Sequence, residues 1–220
     1  LLSFKKRLHW HCHFVQKLET EPELEFRSMH PFCDELRTEE DSELIEKWIK
    51  GQTGFPFLDA CITYLNTNGW INFRMRAMIM SFASYNLWQP WQKTSPLLAE
   101  LFTDFEPGIH ISQVQMQSGV TGINLPRIYS VFKQSLDQDS TAEWTKKIIP
   151  QLENVEIDLI HNAELKDIYF DQIVDPKLSA KKARDTIWAM RKNSDFKKIA
   201  REVYLKHGSR KKQQFNRVSN

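Results

Sequence analysis

Glycine and proline are scarce in this chain of 220 residues: 7 and 9 of them, where average use would give about 26 together. That excludes a collagen-like repeat and low-complexity disorder, and it argues against a turn-rich β-sandwich. Cysteine is scarce as well. Cys12, Cys33 and Cys61 are too few and too scattered for a disulfide framework, and no C-x-x-C pair suggests structural zinc. A cytoplasmic or other reducing compartment is the expected setting. The longest nearly apolar run, Met75 to Leu87, contains Arg76, Ser81 and Asn86 and falls short of the ~20 apolar residues that cross a bilayer, so no membrane partner is expected. There is no Gly-rich phosphate loop and no G-x-S-x-G elbow. An initiator Met is missing too. Residues 1–7 place apolar side chains ahead of positive ones, the reverse of a secretory signal, and read as a helix entered partway in a piece of a longer protein.

What is present is a core-forming composition, 41% hydrophobic and 12% aromatic with 7 Trp. The net charge of +2 hides an asymmetry: from Lys177 onward there are 14 basic and 3 acidic residues, net +11, against 16 and 25 before it, net −9. Such a basic stretch either binds phosphates through counterion release or forms solvated helix faces. Helix signals recur along the chain. Asp41 or Ser42 caps a helix with Leu44, Ile45, Trp48 and Ile49 on one face; Pro56 opens another through Leu58, Cys61, Ile62 and Leu65 that stops at Asn68-Gly69. Ile71 to Phe82 continues the period and predicts a buried helix. Thr94 or Ser95 before Pro96 predicts the start of the next one. Residues 119–135 read as irregular, a helix capped by Asp139 or Ser140 runs to Pro150, and further helices start near Ser179 and Ser194, the latter ending before Gly208. No strand alternation and no fixed repeat occur, so the fold class is all-α, irregular and multi-helical.

The apolar run from Ile71 holds two arginines, Arg74 and Arg76, after Trp70 and Asn72. A buried guanidinium stays charged and needs a carboxylate or an anionic ligand. Asp104 and Glu106, in the helix-breaking segment that follows, are the natural partners, either as a structural ion pair or as part of a binding site. His110, read as lying in the loop beyond Glu106, adds a titratable group. His9, His11 and His13 with Cys12 give no metal site, because His9 and His13 share a helix face while His11 points away. Aromatic, basic and acidic side chains without a metal or phosphate motif suggest a bound organic cofactor.

The string Trp48-x-x-Gly51-x-Thr53-Gly54-x-Pro56-x-x-Asp59-Ala60, followed by Leu65, Gly69-Trp70-Ile71-Asn72 and Arg76-x-x-x-x-Ser81-Phe82, resembles the flavin-binding domain of the photolyase and cryptochrome family. The likeness continues through Trp91-Gln92, Leu101-Phe102-x-Asp104-x-Glu106-Pro107, Gln115-x-Gln117-x-Gly119 and Arg127-Ile128-Tyr129, with Arg7-Leu8-x-Trp10 upstream and Ile173-Val174-Asp175 and Ala183-Arg184 downstream. It implies residues 1–190 as part of a helical FAD-binding domain, with 191–220 as a basic C-terminal helix and tail. By position it implies Arg76 and Asp104 as the ion pair beside the flavin, Glu106 at the ring's polar edge, Trp70 and Asn72 in the pocket, His11 near the flavin phosphates, and His110 at the reactive nitrogen. Trp91 matches the middle member of the family's electron-donating tryptophan chain. Trp10, Arg7 and Met116 fall where DNA substrate is met.

Several positions depart from the family pattern. His110 stands where repair enzymes usually have Asn. Val114 and Met116 replace a Trp-x-Trp, removing the flavin-proximal electron donor, and Arg7 replaces a common glutamate. The antenna domain and the Ser/Thr-rich phosphate-cradling segment would lie before residue 1, so weak or incomplete FAD binding is expected of this chain. The resemblance implies light-driven repair of pyrimidine dimers in DNA by the longer protein. Two rivals stand beside it: a light or redox sensor without repair, and a cofactor-free helical DNA-binding module.

Overall fold

The computed structural model describes residues 2–208. Among these there is no strand, and eleven α-helices carry the fold: α1 (Leu2–Thr20), α2 (Ser42–Ile49), α3 (Pro56–Asn68), α4 (Phe73–Ser81), α5 (Trp91–Leu101), α6 (Pro107–Ser118), α7 (Val131–Gln138), α8 (Glu143–Ile148), α9 (Ile157–Asn162), α10 (Pro176–Lys192) and α11 (Ser194–His207). The all-α expectation holds. Local chemistry explains many of the boundaries. The Asp41 carboxylate accepts from Leu44 N and caps α2, Pro56 sits in the first turn of α3, and Gly69 closes α3 at φ 68°, a left-handed conformation that a side chain would strain.

Five expectations need correction. Helix α5 begins at Trp91, so Pro96 lies inside it, where the ring removes one backbone donor. His110 is in α6, because Pro107 and Glu106 start a helix where the sequence reads as a break. Val131–Gln138 is helical under a Ser130 cap, not irregular. The next helix, α8, starts only at Glu143: Asp139 sits ahead of it and accepts from Trp144 N and Thr145 N. Helix α10 starts at Pro176, capped by Asp175, three residues before the expected Ser179.

The core gathers around α3 and α4, with Trp48, Phe55, Leu58, Ile62, Leu65, Met78, Ile79 and Phe82 nearly inaccessible. The Trp48 indole N–H donates to Ile79 O at 3.2 Å and ties α2 to α4. Beneath them Asp59 is fully buried and accepts from Thr53 N, Thr53 Oγ, Gly54 N and the Tyr169 hydroxyl. Burial pushes its carboxyl up to about 6, while these donors favour the charged form. After α4 the chain widens into a π-turn, Phe82–Asn86, which buries Tyr85 and leads to Trp88 at φ 57°.

Helices α1 and α6 pack so closely that a Cβ on Gly108 would come 2.7 Å from Val15 Cα, which glycine alone avoids. This contact orients α6. Helix α11 lies over the domain through Phe196, which stacks on His30 at a centroid distance of 3.9 Å, and through Val203 against Leu24 and Met29. The tail beyond residue 208, which carries the last of the basic charge, is outside the described residues. No helix is long and apolar enough to cross a membrane among the described residues.

Candidate functional site

The Asn72 side chain accepts from Met75 N at 3.2 Å and starts α4, which places Arg76 one turn into the helix. Its guanidinium is then fixed from three directions. Nε donates to Ile71 O at 2.6 Å, Nη1 and Nη2 reach Asp104 Oδ1 and Oδ2 at 3.0 Å each, and Cζ lies 4.2 Å from the centroid of Phe102. The two-bond geometry gives the pair a defined plane. Asp104 comes from the short link between α5 and α6, and two residues later Glu106 accepts from Gly108 N and Ile109 N as the cap of α6. Thus Glu106 caps a helix and does not pair with an arginine, contrary to its reading as a partner. Arg74 is exposed and outside this arrangement.

These elements enclose a cavity of about 160 Å³. Arg76, Asp104, Glu106, His110 and Gln113 supply its polar wall; Ala77, Met80, Leu98, Phe102, Ile109 and Val114 supply its apolar one. Phe73 and Phe105 also line it and are both exposed, so the cavity reaches solvent at their edge. A cavity of about 150 Å³ is known to admit a benzene ring. The mixed wall suits a flat aromatic ring whose faces meet aliphatic side chains and whose rim carries hydrogen-bonding atoms.

His110 is 8% exposed, and its Nε2 lies 3.0 Å from both the Ser95 carbonyl oxygen and Ser95 Oγ. A carbonyl only accepts, so Nε2 carries the proton and Nδ1 is left as the acceptor. Burial holds the imidazole below its ordinary range; the bond to Ser95 O opposes this and the Arg76 charge reinforces it. The ring is therefore neutral at pH 7.

The structure brings Arg76, Asp104, Glu106 and His110 to one cavity, as the sequence suggests. Trp70 stands beside it, 51% exposed, with its ring 5.9 Å from Arg76 Cζ, but does not line it. Asn72 is an exposed helix cap. Trp91 is buried and donates its indole N–H to Ser28 Oγ at 3.1 Å, and neither it nor the half-buried Met116 lines the cavity. Arg7, Trp10 and His11 are exposed on α1, with Trp10 edge-on to His13. No group of three His, Cys, Asp or Glu positioned for a metal ion occurs among the described residues. Gln113, Gln117 and Phe105 are wall residues that the sequence reading missed. The signal for the two glutamines was available: from Glu106 onward, positions 109, 110, 113, 114 and 117 recur at helical spacing, which shows only once α6 is recognised as a helix. Gln115, two residues from Gln113, plays a different part. It is buried, accepting from Met29 N and donating to Leu24 O and Arg27 O.

Comparison with known proteins gives this geometry a context. The sequence profile for the FAD binding domain of DNA photolyase matches residues 4–189. A deoxyribodipyrimidine photo-lyase of Alkalihalophilus pseudofirmus is 27% identical over 161 residues, covering 72% of this chain and 34% of that protein. Cryptochrome-1 of Macaca fascicularis is 29% identical over 110 residues, half of this chain and 19% of that one. Among solved structures, an archaeal photolyase from Sulfolobus tokodaii superposes with a TM-score of 0.80 at 23% identity, covering 85% of this chain and 44% of its own. A bacterial class III photolyase from Agrobacterium tumefaciens gives 0.77 at 24%, covering 87% and 43%. The chain thus spans about a third of the length of the photo-lyase relative it matches. With the profile matched over most of its length and the helical architecture shared, this chain belongs to the photolyase and cryptochrome family, in which it corresponds to the FAD-binding domain.

Proposed function

We propose that the cavity beside Arg76 and Asp104 receives the flavin ring of FAD, and that the longer protein of which this domain forms part repairs pyrimidine dimers in DNA. The observation that carries the reading is the doubly bonded Arg76–Asp104 pair at the edge of a cavity with one polar and one apolar wall. A planar ring system with polar atoms along one rim fits that wall. The chemistry supplied by bound, reduced FAD is light-driven electron transfer to the dimer. The chain's own residues prepare for it. Arg76 places a fixed positive charge where an anionic ring is stabilised, and Asp104 holds the guanidinium in plane. His110, protonated on Nε2 by its bond to Ser95, offers Nδ1 as an acceptor to a ring N–H. Met80, Leu98 and Val114 exclude water from the ring faces.

Among the described residues Arg76 is the one Lys or Arg side chain on the cavity wall, and both its terminal nitrogens are engaged by Asp104. A pyrophosphate finds no uncommitted cation there, so FAD binds the isolated chain weakly. DNA is the partner proposed for the longer protein, with Arg7 and Trp10, both exposed on α1, as its proposed contacts. Three free cysteines, two of them buried, suit a reducing compartment. A second reading, a light or redox sensor without repair, is favoured by Val114 on the cavity wall, where the family pattern has an electron-donating Trp.

The test has two arms. Titration of the chain with FAD, followed by the visible flavin band, is expected to saturate only well above micromolar FAD; absence of saturable binding sinks the flavin reading. Irradiated DNA mixed with the full-length protein is expected to lose its dimers under blue light and keep them in darkness. Dimers that persist under light, with flavin bound, favour the sensor.

A further inference from the structure

Helix α10 presents a stripe that the flavin reading does not use. Lys177, Lys181, Arg184, Trp188, Arg191 and Lys192 fall within roughly 100° of one another on its circumference; Ala183 and Ile187, which are buried against the domain, lie to one side of this stripe. Lys177, Lys181, Arg184 and Lys192 are exposed, and the indole of Trp188 is 43% exposed among them; Arg191, half-buried, lies with Cζ 5.9 Å from that ring and donates Nη1 to Asn124 O at 3.1 Å, which leaves the four exposed cations to meet phosphates. The one carboxylate on the helix, Asp185, is 3.9 Å from Lys181 and lies at the edge of the stripe. Lys197, Lys198 and Arg201 on α11 are exposed as well. None of these residues lines the cavity.

We propose that this face of α10 binds single-stranded nucleic acid, its cations contacting successive phosphates and Trp188 stacking on an unpaired base. The stripe from Lys177 to Lys192 runs about 22 Å at 1.5 Å per residue, long enough to follow several phosphates of an extended strand. A large aromatic residue set among cations is the arrangement that pairs backbone attraction with base stacking, and stacking needs a base released from a duplex. A lipid surface fits less well: the apolar stripe of α10 is turned inward, and the outward face offers one Trp and the exposed Leu178 as its large apolar groups. This inference is independent of the flavin reading.

The experiment measures anisotropy of a fluorescein-labelled oligothymidylate with the purified chain in darkness, beside the matching duplex and anionic phosphatidylglycerol vesicles. The expected result is tightest binding to the single strand, weakening with salt. The double variant Lys181→Glu, Arg184→Glu is expected to bind at least tenfold more weakly, with a shallower salt dependence. Trp188→Ala is expected to lose about fivefold or more with its salt dependence unchanged, and Trp188→Phe to keep most of the binding. Unchanged circular dichroism melting shows that these exposed positions leave the fold intact. The proposal is overturned if the wild type does not bind the strand, if the double variant and Trp188→Ala bind as the wild type does, or if duplex or vesicles are preferred.

Discussion

Arg76 and Asp104, 28 positions apart, meet through two parallel 3.0 Å contacts at the margin of a cavity of mixed polar and apolar lining, with the arginine side chain 24% and the aspartate 48% exposed. At that exposure the pair adds less than about 1 kcal/mol to stability. Its contribution is expected in binding. Asp104→Asn is predicted to leave the melting temperature nearly unchanged while lowering flavin retention or shifting the flavin potential; equal flavin content and potential in variant and wild type contradict the assignment.

The histidines set a pH dependence. Burial lowers the pKa of His110 and of His30 in the folded state, so the unfolded chain binds more protons near their ordinary pKa. Their contribution to stability is complete above about pH 6.5 and is lost as pH falls below it. The urea midpoint is therefore predicted to drop between pH 7.5 and pH 5.5, and to drop less in His110→Asn. Asp59 acts with the opposite sign, because its carboxyl, pushed up to about 6, contributes less as pH rises through that value; comparing wild type with His110→Asn cancels it. An identical drop in the two proteins refutes the role given to His110.

Arg37 is a charge without a carboxylate beside it among the described residues. It is 6% exposed, donates Nη1 to Ser118 O at 3.1 Å, and lies 4.4 Å from the Trp88 ring and 5.4 Å from Tyr85, while Nε and Nη2 have no partner among the described residues. Burial brings its pKa down to about 10. An apolar replacement of similar length removes that desolvation cost, so Arg37→Met is predicted to unfold at an equal or higher urea concentration. A loss of more than about 2 kcal/mol would show that the aromatic stacking outweighs it.

Val114 occupies the cavity wall where the family pattern has an electron-donating tryptophan. In flavin-loaded full-length protein, Val114→Trp is predicted to speed blue-light photoreduction with an external electron donor by about tenfold, at a packing cost of about 1–3 kcal/mol. A rate equal to that of the wild type means that another route already serves the ring.

Much of the fold was legible because the relevant signals are local. Asp41, Pro56 and Gly69 mark boundaries by backbone chemistry that needs no tertiary partner, and α2 and α3 lie where those residues put them. Helix α6 was not legible. Asp104-Phe105-Glu106-Pro107-Gly108 reads as a break, yet Glu106 and Pro107 are a good cap and first turn, and the glycine is there for the close passage of α1. Missing α6 hid Gln113 and Gln117 on the wall. Arg76 and Asp104 could be paired from charge and sequence context, whereas the engagement of Glu106 by the backbone of its own helix, and the burial of Arg37, depend on three-dimensional packing that no local pattern records.

The most direct test of the account is a crystal structure of the protein saturated with FAD. Density for the flavin ring is predicted in the cavity bounded by Arg76, Asp104, His110 and Val114, with its polar rim toward the guanidinium. Density for the ring elsewhere, or that cavity closed by side chains while flavin is bound, would contradict it.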